Sequence, residues 1–527
     1  MNSVQSTPKY LKLLLITVIA LGIFFRFANL EKKVYWIDEV HTSVRVVGYK
    51  KTEFVDQAPS DRIIKIADLF QFQQLSPEKN WNDTIVALAG NAEHTPLYYA
   101  IARLAMQVFG SSIAVTRGVA AGLSLLAFPC IYWLCLELFA YPLVGLIAMA
   151  LIAVSPLHIL YAQEAREYSL LTVATLLSSV TLLRAIHKNT RFNWGVYAAT
   201  VAIGLYSHLI FILVSFTHAV YILLIRRLLL NYIIASFIGL LTLVPWIILY
   251  FINASSIGEW TARAINFDTL FNRWIANLTM VFFDLQTKYQ NIQFFDVEGG
   301  NDGLQLALND FVFYIIPAII LILSSIYIVC KFAKQSSRLF ILTLIVIPAS
   351  CLVLPDIISG GQRSSIARYL IPTYLGIQLA VAYLFANRLS ASQKLWQQKA
   401  WQIFLIVVLT GGILSATVSL QAETWWNKYS SYHNPQVAEF INQAKQPLII
   451  SSQKRVSRIA SLAYNLNPQT SIILVGKTDI PDGVNNFSDI FLFRPDAELQ
   501  AKLTNDPNYK LEVLHLPGQL WRVHIQT

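Results

Sequence analysis

Charged side chains are scarce in this 527-residue chain: 13% are Asp, Glu, Lys or Arg, where soluble proteins carry roughly 25%. With 55% hydrophobic residues and a mean hydropathy of +0.51, that shortage excludes an ordinary soluble domain and points to a multispanning membrane protein. Cysteine is scarce too. Cys130, Cys135, Cys330 and Cys351 all lie in apolar segments without disulfide or metal spacing, and read as small core residues. No GxGxxG fingerprint occurs, so no nucleotide is assigned. No internal repeat is visible. The first apolar segment, 10–28, has no small-residue cleavage site, and Arg26 and Phe27 close it, so it reads as a retained span. The net charge is +10, but Lys and Arg gather in short loops. That is an orientation signal rather than a nucleic-acid surface, and no nucleic-acid partner is expected.

What the chain has in abundance is apolar runs. Eleven spans are expected, at 10–28, 112–139, 143–160, 167–187, 193–208, 209–226, 230–251, 312–332, 339–357, 368–388 and 401–420. Basic residues at Lys9 and Lys12, Arg184 to Arg191, Arg226 and Arg227, Lys331 to Arg338 and Arg388 to Lys399 put the N-terminus and the matching loops in the cytoplasm. Residues 96–110 are too few to cross easily and read as an amphipathic or half-inserted helix on the exoplasmic side. The expected organisation is mainly α, with a membrane domain over 1–420 and large exoplasmic loops at 29–95 and 252–311. The second loop ends in a glycine-rich turn at Gly299, Gly300 and Gly303. Helix-like stretches fall near 61–73 and 82–90. Residues 421–527 alternate strand patterns (447–451, 471–475, 489–493, 511–515) with helical ones (434–445, 455–465, 496–504), which predicts a small exoplasmic α/β domain.

On this topology the ionisable groups gather at one exoplasmic rim. Asp38 and Glu39 follow the first span in Tyr35-Trp-Ile-Asp-Glu-Val-His41. Glu93 and His94 precede Pro96. Gln163, Glu164, Arg166, Glu167 and Tyr168 form a tight group, and His208, Arg363, Arg368 and Tyr369 lie at later span ends. Such groups at membrane depth are costly and usually paired or functional. A carboxylate beside an apolar wall suits a general base, and arginines hold phosphate through paired hydrogen bonds. A transfer reaction with a lipid-phosphate leaving group needs both. The blander readings are a helix end meeting water at Asp38 and Glu39, a structural ion pair at Glu164 and Arg166, an interface anchor at Arg368, and satisfied core groups at His208 and His218.

The acidic pair, His94-Thr-Pro-Leu-Tyr-Tyr, Phe109-Gly followed by Arg117, and Ser155-Pro-Leu-His-Ile-Leu-Tyr-Ala-Gln-Glu-Ala-Arg-Glu-Tyr168 resemble family 39 glycosyltransferases of the GT-C membrane class. That family includes protein O-mannosyltransferases and aminoarabinose transferases. The Gln163 to Tyr168 stretch is similar to rhizobial galacturonosyltransferases. The resemblance covers about residues 10–210 and extends weakly to Arg368-Tyr-Leu-Ile-Pro372. One departure is Thr95, where the family usually has a proline.

The resemblance implies a polyprenyl-phosphate-linked sugar donor, exoplasmic transfer and inversion. Asp38 matches the family's first-loop catalytic acid, with Glu39 its neighbour and Glu164 a second rim acid. Arg166 or Arg368 would hold the donor phosphate, and His94, Tyr98, Gln163 and Tyr168 would contact substrate. Some relatives hold a metal nearby, for which Glu93, His94 and His208 offer ligands. The acceptor, whether lipid, glycan or protein, is not implied. The protein is thus expected in the plasma membrane among lipids. Two other classes stand beside this reading: a lipid-linked glycan transporter or flippase, marked by paired interrupted helices, and a non-catalytic membrane subunit.

Overall fold

Inside a bilayer the backbone has no partner but itself, so apolar runs become helices. The computed structural model describes residues 8–252, 259–285, 312–390, 393–476 and 483–526. The first helices in chain order are α1 (Lys9–Phe27), α2 (Ile37–Val47), α3 (Lys51–Gln57), α4 (Trp81–Ala89), α5 (Pro96–Phe109), α6 (Ile113–Leu125), α7 (Ala127–Phe139), α8 (Pro142–Ala153), α9 (Pro156–Ala162), α10 (Tyr168–Lys188) and α11 (Arg191–Ser207). There follow α12 (Phe211–Ile225), α13 (Leu229–Leu241), α14 (Val244–Ile252), α15 (Phe267–Thr279), α16 (Val312–Phe332), α17 (Gln335–Ser359), α18 (Ile371–Arg388), α19 (Leu395–Gln421), α20 (Asn434–Asn442), α21 (Val456–Ala463) and α22 (Ala497–Asn505).

Among the described residues seven helices are long and apolar enough to cross a membrane, α6 and α7 counting as one. Two bent pairs, α8–α9 (60°) and α13–α14 (55°), bring the number to nine. All eleven expected segments are helical, but α11 and α12, with 17 and 15 residues, are short for a span, so eleven is approximate. Exposed Leu230, Phe237, Ile320, Leu323, Ile403 and Val407 give these helices an apolar outer surface suited to lipid. This is a multi-pass membrane protein. The glycine-rich turn expected at Gly299 to Gly303 lies outside the described residues.

The α8–α9 break is sealed. A helix that stops within the apolar layer frees carbonyls that must find donors. Arg26, at the end of α1, donates to Ile152 O (3.0 Å), Ala153 O (2.7 Å) and Ser124 Oγ (3.1 Å). A Cβ on Gly22 would overlap the Ala153 carbonyl, so α1 approaches this closely only because that residue is glycine. After the break, Ser155 Oγ donates to Val281 O at 2.7 Å. The following buried turn, Gln163 to Glu167, carries the site.

The polar regions come together in one six-stranded sheet of order β1-β3-β2-β4-β6-β5. The strands are β1 (Ile63–Lys65), β2 (Pro447–Ser452), β3 (Ser471–Val475), β4 (Asp489–Phe493), β5 (Tyr509–His515) and β6 (Leu520–Ile525). β2 is parallel to β3 and β4, and the other pairs are antiparallel. Two corrections follow. The stretch 61–73, expected to be helix-like, begins as β1 and continues as a 3-10 helix, Ile66–Gln73. The sheet is also not confined to 421–527, because β1 of the first loop pairs with β3, Ile63 opposite Ile473. In turn α21 packs on α2, and Ser461 Oγ donates to the Tyr35 carbonyl at 2.6 Å. Residues 96–110 form the 14-residue α5, amphipathic as expected, with Tyr98, Tyr99 and Met106 buried and Val108 and Phe109 exposed.

Candidate active site

Asp38 and Glu39 occupy the first turn of α2, where carboxylates complement the helix dipole. Successive helical residues point about 100° apart, so the two cannot share an environment. Glu39 turns inward and is fully buried. Its oxygens accept from Arg117 Nε (2.7 Å) and Nη2 (2.6 Å), and from the Ala165 amide (2.8 Å). Burial alone would raise this carboxyl; the Arg117 guanidinium holds it below the usual carboxylate range. Arg117 in turn ties down the carbonyls of Leu30, Lys33 and Val34.

Glu164 is equally buried. Its Oε1 accepts from Asn427 Nδ2 (2.6 Å) and Lys428 Nζ (2.5 Å). Both donors come from the segment Trp426–Ser431 that follows α19, and Tyr429 there holds a left-handed φ of 43°. Gln163 is a structural tie: its Nε2 donates to Phe25 O and Ala28 O, and its Oε1 accepts from Lys33.

A third buried carboxylate, Glu167, is the hub of the next group. It meets Arg166 Nη2 (3.1 Å), His94 Nδ1 (3.3 Å), Tyr99 OH (3.5 Å) and, at 3.9 Å, His208 Nε2. Burial first, then Arg45, lowers the His94 ring to about 3, so it is neutral at physiological pH. Glu93 lies 3.5 Å from His94 Nε2. Among the described residues no group of three or more His, Cys, Asp or Glu side chains could hold a metal ion. Of the residues the resemblance offered as ligands, Glu93 lies at His94 Nε2, whereas His94 Nδ1 and His208 Nε2 lie nearest Glu167.

Asp38 differs from all three. Its side chain is 26% exposed, and its Oδ2 lies 3.4 Å from Arg368 Nη2. Arg368 is buried against the rings of Trp36, Tyr168 and Tyr369, with its Nε bonded to nothing among the described residues. Arg166 is occupied by Glu167, Thr42 and Tyr168. The Tyr98 hydroxyl is buried and also lacks a partner. Among the described residues the site thus offers two partly exposed carboxylates, Asp38 beside Arg368 and Glu93 beside His94, one aromatic-walled cation and several buried ion pairs. Sequence reading left three residues out of the site. Arg117 was noted only as part of a motif, Glu167 only as a cluster member, and Lys428 not at all. The Glu164–Lys428 pair is 264 positions apart, which no local pattern signals.

Residues 93–250 match a family model described as dolichyl-phosphate-mannose-protein mannosyltransferase. No curated protein matches the sequence. Among solved structures, the chain is similar to ArnT from Cupriavidus metallidurans bound to undecaprenyl phosphate, with a TM-score of 0.52 at 12% identity over 98% of each chain. The archaeal oligosaccharyltransferase AglB from Archaeoglobus fulgidus, in complex with an inhibitory peptide and a dolichol-phosphate, gives a TM-score of 0.49 at 11% identity over 98% of this chain and 74% of that one. At such identity the ArnT likeness speaks for the fold, which is GT-C. Fold and matched segment together describe a membrane protein of GT-C fold whose residues 93–250 are similar to the dolichyl-phosphate-mannose-protein mannosyltransferase family.

Proposed function

We propose that the chain is an integral-membrane glycosyltransferase that moves a sugar from a polyprenyl-phosphate donor to an acceptor hydroxyl on the exoplasmic side, with inversion. The observation that carries this reading is the half-open Asp38 carboxylate beside the aromatic-walled Arg368. ArnT, whose fold the chain shares, is bound to undecaprenyl phosphate, which supports a carrier of that kind. In the reaction Asp38 takes the proton of the acceptor hydroxyl. The new oxygen–carbon bond forms as the bond from the anomeric carbon to phosphate breaks, and a single displacement inverts that carbon. Arg368 faces the departing phosphate, with Tyr168 on its flank. Glu39 and Glu164 are positioning residues here: Glu39 fixes the first turn of α2 through Arg117, and Glu164 anchors Lys428. Arg166 has its Nη groups taken up by Glu167, Thr42 and Tyr168, while its buried Nε has no partner among the described residues, so it stands beside Arg368 as the second cation of the site.

The basic loops support a cytoplasmic N-terminus, with the sheet-bearing residues 421–527 outside. The broken spans are the one observation favouring a transporter, but at the α8–α9 break the Ile152 and Ala153 carbonyls are taken up by Arg26. The test is label transfer from a panel of polyprenyl-phosphate sugars to envelope extract by the purified protein in lipid. A labelled product that vanishes with Asp38→Asn is expected. Lipid flipping without product would transfer the protein to the transporter class.

A further inference from the structure

Asp38, His41 and Arg45 recur at i, i+3 and i+7, so they share one face of α2. Seven residues at 1.5 Å each put Arg45 about 10 Å along the helix from Asp38. Arg45 is 5% exposed, and its hydrogen bond is a long one, 3.4 Å, to the neutral Asn91 amide; no carboxylate among the described residues pairs with it. A buried guanidinium with no carboxylate at ion-pair distance is costly, and although Glu93 acts on Arg45 from further off, the guanidinium is left able to take an arriving anion. Two more cations lie on the elements packed beside this face, close enough to act electrostatically on one another. Lys51 opens α3, and Arg458 lies on α21, which packs against both α2 and α3. Burial first, then Arg45 and, more weakly, Arg458 lower the Lys51 ammonium, while Glu93 and Asp38 oppose them. His41 adds a buried Nε2 with no partner. The opposing carboxylates are few. Asp38 is paired with Arg368, and Glu93 reaches ion-pair distance only of His94.

Resting on the transferase reading above, we infer that Arg45, Lys51, Arg458 and His41 form a subsite for an anionic group, phosphate or carboxylate, on the acceptor. The direction decides between acceptor and donor. Arg368 and Tyr168, which the proposed donor phosphate faces, come from the entry to α18 and the start of α10. Arg45 extends the other way, towards α3 and α21, beneath the sheet-bearing region. An acceptor hydroxyl at Asp38 would carry its anion about 10 Å further out, two sugar units or fewer from the attacked oxygen.

The test uses the full chain in nanodiscs containing undecaprenyl phosphate, titrated calorimetrically with glucose 6-phosphate and with glucose. The phosphate sugar should bind and glucose should not. Arg45→Gln should weaken binding about tenfold, as loss of a charge-assisted bond does. Lys51→Gln should weaken it about threefold, with the thermal midpoint measured alongside, and added salt should do the same. Transfer surviving in Asp38→Asn would sink the catalytic assignment and leave the subsite standing, which keeps the two failures apart. Equal affinity for the two sugars, or wild-type affinity in both Arg45→Gln and Lys51→Gln, would overturn the subsite. With transfer in hand, Arg45→Gln should raise the acceptor KM and spare kcat; a rise in the donor KM instead would overturn the acceptor assignment.

Discussion

Asp38 and Glu39 are neighbours in sequence and opposites in situation. Glu39 is fully buried, held by two short bonds from Arg117 and one from the Ala165 amide. Asp38, one residue earlier, is 26% exposed and meets a single cation at 3.4 Å. The same contrast separates Asp38 from Glu164 and Glu167, both buried and clamped. Chemical type does not distinguish these acids; helical phase and long-range partners do. A carboxylate buried in an ion pair is a structural element, even where, as at Glu164, one oxygen accepts no bond among the described residues, and one partly open to solvent is free to accept a proton.

The contrast can be broken or sharpened by substitution, beginning with the largest effect. Asp38→Asn should lower transfer about 10²- to 10⁴-fold with an unchanged thermal midpoint, since general-base removal costs that much. Arg117→Met should act on stability instead. It strands the buried Glu39 carboxylate and should destabilise the fold by about 3–5 kcal/mol, read as a fall in thermal midpoint in detergent. Glu164→Gln keeps the shape but loses the charge partner of Lys428, and should cost about 1–3 kcal/mol, with the loss of transfer tracking the loss of folded protein.

A pH effect comes last. Burial, then Lys428 and Arg117, lowers the Lys33 ammonium from 10.5 to about 7. Between those values the unfolded chain binds the proton that the folded one has released, so stability should rise with pH across that window and its share be absent below it. Midpoints measured from pH 7 to pH 10 should show that slope in wild type and a flatter one in Lys33→Met.

Much of the scaffold was legible because membrane helices announce themselves by uninterrupted hydrophobicity, and Leu448 to Ile450 or Ile472 to Leu474 by apolar runs between turn signals. β1 was not: three residues, Ile63–Lys65, are too few to alternate visibly, and they form a strand only because β3 offers an edge. β6, Leu520–Ile525, was missed for a related reason, since Arg522 and His524 break its apolar character while Trp521 and Val523 face inward. Within the site, the acids and arginines at the span ends were readable as a set. Their sorting into open and clamped was not, because Arg117 and Lys428 reach Glu39 and Glu164 across 78 and 264 positions. The place of Glu167 at the centre of the histidines was not legible either, because it reaches His94 across 73 positions.

The most direct measurement is paired kinetics and thermal midpoints of Asp38→Asn and Glu39→Gln in one lipid preparation with a transferable polyprenyl-phosphate sugar. Opposite phenotypes are expected. Asp38→Asn should fold as wild type and transfer almost nothing, while Glu39→Gln should lose stability and keep activity in proportion to the folded fraction. Wild-type transfer by Asp38→Asn, or a fully folded but inert Glu39→Gln, would contradict the division between the open carboxylate and the clamped one.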